Sequence, residues 1–150
     1  MNIRQFKQRI KKCRHSLAVR QTVAFNDVDM MGVVWFGNYY RYFELARAAF
    51  CQQLQLDFEH VQRAGYELPV VRSECNYRNP ARYNDVIDIE IYLVPPDRPM
   101  VVFMYAVRDL GKRLLAFGTT EHVVCLNREP LIAWDEAVRR WLPEELFDGI

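Results

Sequence analysis

Hydrophobic positions recur with two different periods along this chain, and the switches between them mark out its elements. From Ser16 to Phe25, Leu17, Val19, Val23 and Phe25 alternate with Ala18, Arg20, Thr22 and Ala24, the period of a half-buried strand. From Asn38 to Leu54 the period lengthens. Tyr39, Tyr40, Phe43, Ala46, Arg47, Phe50, Cys51 and Leu54 fall three to four apart, against Arg41, Glu44, Ala48 and Gln52, and predict a long helix with one face in the core. Gln55 to Gly65 spaces Phe58, Val61 and Ala64 for a short helix that Gly65 stops. The two-residue period then returns four times. Val71, Ser73, Cys75 and Tyr77 alternate within Leu68 to Tyr77; Ile87, Ile89, Ile91 and Leu93 alternate with Asp88, Glu90 and Tyr92; Val101 to Val107 and Leu114 to Leu126 follow. Gly118, inside the last of these, reads as a bulge or a site of close approach. Asn79 to Asp85, Pro95 to Pro99 and Asp109-Leu110-Gly111-Lys112 are turns, and Pro130 is expected to stop the final strand. Asp135 to Leu142 can form a closing helix capped by Asp135, with Val138, Trp141 and Leu142 inward.

One strand, one long helix and four mostly antiparallel strands exclude a doubly wound fold, because one helix cannot cover both faces of a parallel sheet. The pattern predicts an α+β fold in which an antiparallel sheet of about five strands wraps around one long central helix. At 150 residues and 51% hydrophobic, the chain suffices for one domain and not for two. Charge changes the picture at one end only. Residues 1–15 hold Arg4, Lys7, Arg9, Lys11, Lys12 and Arg14 and no acid, leaving fourteen basic against nineteen acidic residues in 16–150. That balance argues against a nucleic-acid-binding body. Within the basic segment Ile3, Phe6, Ile10 and Cys13 keep helical spacing, so it could lie on an anionic membrane surface or an acidic carrier protein; the plainer reading, a frayed or locally packed solvated tail, is preferred.

The four cysteines are scattered and are not grouped with His15, His60 or His122, so no metal site and no cofactor is expected. With no membrane-length apolar run and no apolar segment at the amino terminus, cytoplasmic residence with reduced thiols is the expectation.

Candidate chemistry concentrates between the first strand and the long helix, at Asp27-Val28-Asp29-Met30-Met31-Gly32-Val33-Val34-Trp35-Phe36-Gly37-Asn38-Tyr39. On local grounds, Asp-x-Asp before a Gly suits an ordinary turn. It equally suits a site, since an acid just ahead of a helix amino terminus stands beside unpaired N–H groups that could stabilise an oxyanion. The full string, with Glu44-Leu45-Ala46-Arg47 after it, resembles the signature of the 4-hydroxybenzoyl-CoA thioesterase-like family of hotdog-fold acyl-CoA thioesterases: Asp-x-Asp-x-x-Gly-Val-Val, an aromatic, a variable stretch, then Asn-Tyr opening the helix. The order of elements agrees from about residue 16 to 142, and residues 1–15 lie outside it.

The resemblance implies a hotdog thioesterase domain over 16–150 that cleaves an acyl-CoA or acyl-carrier-protein thioester. It implies Asp29 as the catalytic acid residue, either nucleophile or general base, and the backbone N–H of Phe36 as donor to the thioester carbonyl. Many relatives have His at the Phe36 position; as the role belongs to the main chain, activity is expected to survive. Gly32, Val33, Trp35 and Tyr39, with Val34 and Phe43, are candidates for the substrate pocket, and Arg72, Arg78, Arg82 and Arg113 for the phosphates of CoA. Asp27 is read as structural. In the family the active sites form between subunits, so a homodimer or homotetramer is expected. Dehydratases of the same fold need a His that His15, His60 and His122 are not placed to supply, and a non-catalytic acyl-binding module is the remaining alternative.

Overall fold

A computed structural model describes residues 1–141 and 143–147, without the side chains of Ala137 and Trp141. Strands β1 (His15–Thr22), β3 (Val70–Tyr77), β4 (Val86–Val94), β5 (Met100–Asp109) and β6 (Leu114–Val123) form one sheet in the order β1-β4-β5-β6-β3, with every neighbouring pair antiparallel. The sheet curls around helix α2 (Asn38–Gln53), as the pattern of periods predicts. Ile87, Ile89, Ile91 and Leu93 all point into the core, joined by Phe103, Tyr105 and Val107 and, from the helix, by Tyr39, Phe43, Ala46 and Phe50. Each such apolar side chain contributes roughly 1.5–3 kcal/mol through burial. Phe43 stacks on Tyr105 with ring centroids 4.3 Å apart and planes 10° apart. Gly118 sits beneath this contact. A Cβ there would fall 2.2 Å from the Glu74 carbonyl oxygen and 2.8 Å from the Phe43 ring, so Gly118 is a point of close approach. The irregularity in β5–β6 pairing lies instead between Val107 and Arg108.

Residues Ile3–Ile10 form helix α1, closed by a reciprocal cap in which Asn2 and Gln5 each accept the other's backbone N–H at 2.9 Å. The helix packs on the outer face of the sheet. Phe6 is fully buried among Met104, Ala106 and Phe117, 4.9 Å from the Phe117 ring. The solvated-tail expectation is therefore corrected in its frayed form: the apolar stripe of this segment is spent on the sheet. This also explains why β5 is buried on both faces although α2 covers only one.

Four smaller expectations change. Phe25 lies in a 3-10 turn (Phe25–Asp27) beyond the end of β1 and is exposed, because the chain leaves the sheet three residues earlier than the alternation suggests. Phe58 opens the short helix α3 (Phe58–Arg63) on its solvent side, while Val61 is buried and Gly65 ends the segment at φ +83°. Tyr42, absent from the predicted stripe, is buried on α2. Pro130 does not stop a strand: it pairs with Cys125 in β8 (Glu129–Pro130), the edge of a small sheet with β2 (Tyr66–Glu67) and β7 (Cys125–Leu126), where a missing N–H is tolerated. The last helix, α4 (Glu136–Trp141), starts as predicted, with Asp135 Oδ1 accepting from Val138 N at 2.8 Å and Val138 buried. Leu142 and the side chain of Trp141 lie outside the described residues.

Candidate active site

The site is assembled from Asp27 outward. Asp27 is 3% exposed, and every oxygen it owns is used. Oδ2 accepts from Ala24 N at 3.1 Å and from the Tyr42 hydroxyl at 2.8 Å, Oδ1 accepts from the Arg41 guanidinium, and the carbonyl accepts from Trp35 N at 2.9 Å and Asn38 Nδ2 at 2.8 Å. A buried carboxylate is tolerated only when paired and bonded in this way. Burial and the neighbouring carboxylate push the Tyr42 pKa up, which keeps its hydroxyl a donor. Asp27 thus staples the turn after β1 to the first turns of α2, the structural role expected of it. Tyr42 and Arg41 are the partners the sequence reading missed; their spacing of fourteen and fifteen residues from Asp27 carries no local signal.

Two residues on, the chain doubles back. Asp29 N donates to Val33 O at 2.9 Å, Gly32 N donates to Asp29 O at 3.0 Å, and Asp29 Oδ1 accepts from Met31 N at 2.9 Å. Gly32 has φ +77°, a conformation that a side chain would strain, which is why glycine belongs there. The returning segment is held by Val34 N donating to Ala81 O at 2.8 Å. Asp29 is therefore fixed through one carboxylate oxygen, and among the described residues no other protein donor reaches the second.

Asp29 borders a cavity of about 300 Å³ whose other walls are Met31, Val33, Val34, Phe36, Tyr39, Tyr77, Arg78, Asn79 and Pro80. Asp29, Phe36, Val33 and Tyr39 are thereby brought together. Gly32 and Trp35 are not among the lining residues: Gly32 makes the turn, and the Trp35 ring folds over Gly37, where a Cβ would meet it at 2.2 Å. The amides of Phe36 and Gly37, at the entrance to α2, have no acceptor among the described residues, so they remain available at the positive end of the helix dipole. Tyr77 comes from the end of β3. Its hydroxyl donates to Phe36 O at 3.0 Å, and its ring stands edge-on to Phe36 and to Tyr39, at 6.4 and 5.3 Å. The alternation puts Tyr77 on one face with Val71, Ser73 and Cys75; nothing in it shows contact with a residue forty-one positions earlier.

Of the four candidate arginines, Arg72 is engaged by Glu121 at 3.2 Å and Glu74 at 3.5 Å, and Arg113 by Asp109 at 3.4 Å. Arg78 and Arg82 pair with no carboxylate among the described residues, and only Arg78 lines the cavity. His122 is a buried, satisfied histidine away from it, with Nδ1 3.1 Å from Leu68 O and Nε2 3.0 Å from Thr120 Oγ1; burial lowers its pKa.

An aspartate with one unclaimed oxygen and a residue with an unbonded amide, both on the wall of one apolar cavity, are the groups needed to direct water at a carbonyl carbon and to stabilise the oxyanion that results. Similarity to known proteins falls on the same chemistry. Residues 23–142 match the family model of the thioesterase-like superfamily. The 1,4-dihydroxy-2-naphthoyl-CoA hydrolase of Trichodesmium erythraeum is 29% identical over 140 residues, covering 85% of this chain and 95% of that protein. The 4-hydroxybenzoyl-CoA thioesterase of Pseudomonas sp. is 31% identical over 78 residues, 50% of this chain and 55% of that one. A hypothetical protein of Thermus thermophilus of known structure superposes with a TM-score of 0.72 at 30% identity, covering 85% of this chain and 95% of that one. A 1,4-dihydroxy-2-naphthoyl-CoA thioesterase from Synechocystis has the same fold, with a TM-score of 0.75 at 18% identity over 89% of this chain and 97% of that one. With the hotdog architecture and the family match together, the chain belongs to the thioesterase-like superfamily and is a thioester hydrolase.

Proposed function

We propose that this protein hydrolyses acyl-CoA thioesters, with Asp29 as general base and the Phe36 amide as donor to the thioester carbonyl. The observation that carries this reading is that the half-buried Asp29, and Phe36 just ahead of α2, border one cavity. Water held by the free Asp29 oxygen loses a proton to it while attacking the carbonyl carbon; the C–S bond then breaks and CoA leaves as the thiol.

The rings of Phe36, Tyr39 and Tyr77 with Val33 suit an apolar acyl group, and Arg78 suits a phosphate of CoA. Relatives named for the naphthoyl and benzoyl thioesters make aromatic acyl groups the first to try. The site is proposed to be completed by a second copy. Strand β3 is a sheet edge with Val70, Val71 and Tyr77 exposed, and it ends at the cavity, so pairing of two β3 edges would close the open side.

A panel of aromatic and aliphatic acyl-CoAs, followed by thiol release, tests the activity. Single turnover in ¹⁸O-water tests the role of Asp29: label is expected in the released acid, and label in the Asp29 carboxyl would reverse base and nucleophile.

A further inference from the structure

Helix α1 presents positive charge that no carboxylate among the described residues pairs with. Because Ile3, Phe6 and Ile10 are taken up by the outer face of the sheet, solvent meets Arg4, Lys7 and Lys11, spaced three and four apart and hence on one side of the helix. Arg9 and Lys12, with Met1, Gln5 and Gln8, line a second cavity of about 310 Å³ beside them, and Arg14 continues the patch. Among the described residues none of these six side chains pairs with a carboxylate, although the rest of the chain carries an excess of acid. A one-signed, unneutralised surface raises the local concentration of opposite charge and speeds its docking.

The partner's class follows from what the helix has left to offer. A basic amphipathic helix binds an anionic bilayer by burying its apolar face among the acyl chains. Here that face is locked against Met104, Ala106 and Phe117, so only the charged face is free. An acidic protein surface fits it. The patch is also joined to the site: the Met1 amino group lies 2.5 Å from Glu74 Oε1 on β3, and the same strand runs on to Tyr77 and Arg78 at the cavity. Three to four residues of strand span only about 10–13 Å.

We propose that α1 is the docking surface for an acidic carrier protein bearing its acyl group as a thioester on a flexible arm. This rests on the thioesterase reading and extends its substrates from CoA-borne to protein-borne acyl groups. The chemistry is unchanged: the water oxygen bonds to the acyl carbon, the C–S bond breaks, and the carrier's sulfur leaves protonated as a thiol.

The test compares octanoyl and 4-hydroxybenzoyl groups, each carried on CoA and on an acidic acyl carrier protein, for the full chain and two variants, Lys7→Glu and the triple Arg4→Glu/Lys7→Glu/Lys11→Glu. All are checked for native melting. The triple variant is expected to lose about tenfold or more in kcat/KM toward the carrier-borne thioester, through KM, with the single variant between. CoA thioesters should stay within about twofold of the unaltered chain, since α1 does not line the site. The proposal is overturned if the unaltered chain does not turn over either carrier-borne thioester, if charge reversal leaves that turnover intact, or if it lowers both substrate classes equally. Binding to phosphatidylglycerol vesicles that the triple variant abolishes, with carrier kinetics unchanged, would assign the patch to a membrane. Turnover of neither CoA thioester, by contrast, counts against the CoA reading of the site and not against the docking surface.

Discussion

Two aspartates two positions apart differ in how many of their oxygens are claimed. Asp27 is saturated by Ala24, Arg41 and Tyr42, so Asp27→Asn should cost about 1.5–3 kcal/mol of stability, read as a lower urea midpoint, with a smaller loss of turnover in the protein that remains folded. Tyr77 walls the cavity with its ring and holds the Phe36 carbonyl with its hydroxyl. Its change to Phe keeps the ring and removes a bond worth about 1 kcal/mol, so kcat should fall about fivefold with KM nearly constant, whereas a rise in KM alone would show that the hydroxyl binds substrate and does not position Phe36. The turn that carries Asp29, Gly32 and Phe36 is local and could be read from the sequence, while the roles proposed for Asp29 and Phe36 come from the family resemblance. Tyr42, Tyr77 and the sequestering of Trp35 over Gly37 could not be read there, since each depends on how β3 and α2 pack.

At the scale of elements, period alone identified α2 and β4, where one face is wholly apolar and the other polar. For α1 it gave the helical stripe but not its partner, because a short basic segment gives no sign of which surface will receive that stripe. The signal was on the receiving side: Met104, Ala106 and Phe117 occupy the face of β5 and β6 away from α2. Phe6→Ala should therefore destabilise the whole domain by about 3 kcal/mol, visible as a shifted unfolding midpoint; loss of helix signal without that shift would show α1 to be independent of the core. Gly118→Ala tests the opposite contact. Its new Cβ would press on the β3 backbone at 2.2 Å, and a cost of about 1–3 kcal/mol is expected in the same assay.

At the scale of the molecule, the sheet encloses one helix on its inner face and docks another outside, which leaves β3 as the exposed edge nearest the chemistry. Introducing Val71→Lys should shift sedimentation from dimer to monomer and lower turnover with it; a monomeric but fully active variant would show that one copy suffices. All of this depends on one carboxylate performing the reaction. The direct measurement is steady-state hydrolysis of the best acyl-CoA by Asp29→Asn, which keeps the shape and removes the charge, alongside calorimetric binding of CoA and a thermal melt. Turnover should drop by about three orders of magnitude with binding and melting unchanged. Turnover within a few-fold of the unaltered chain would contradict the assignment.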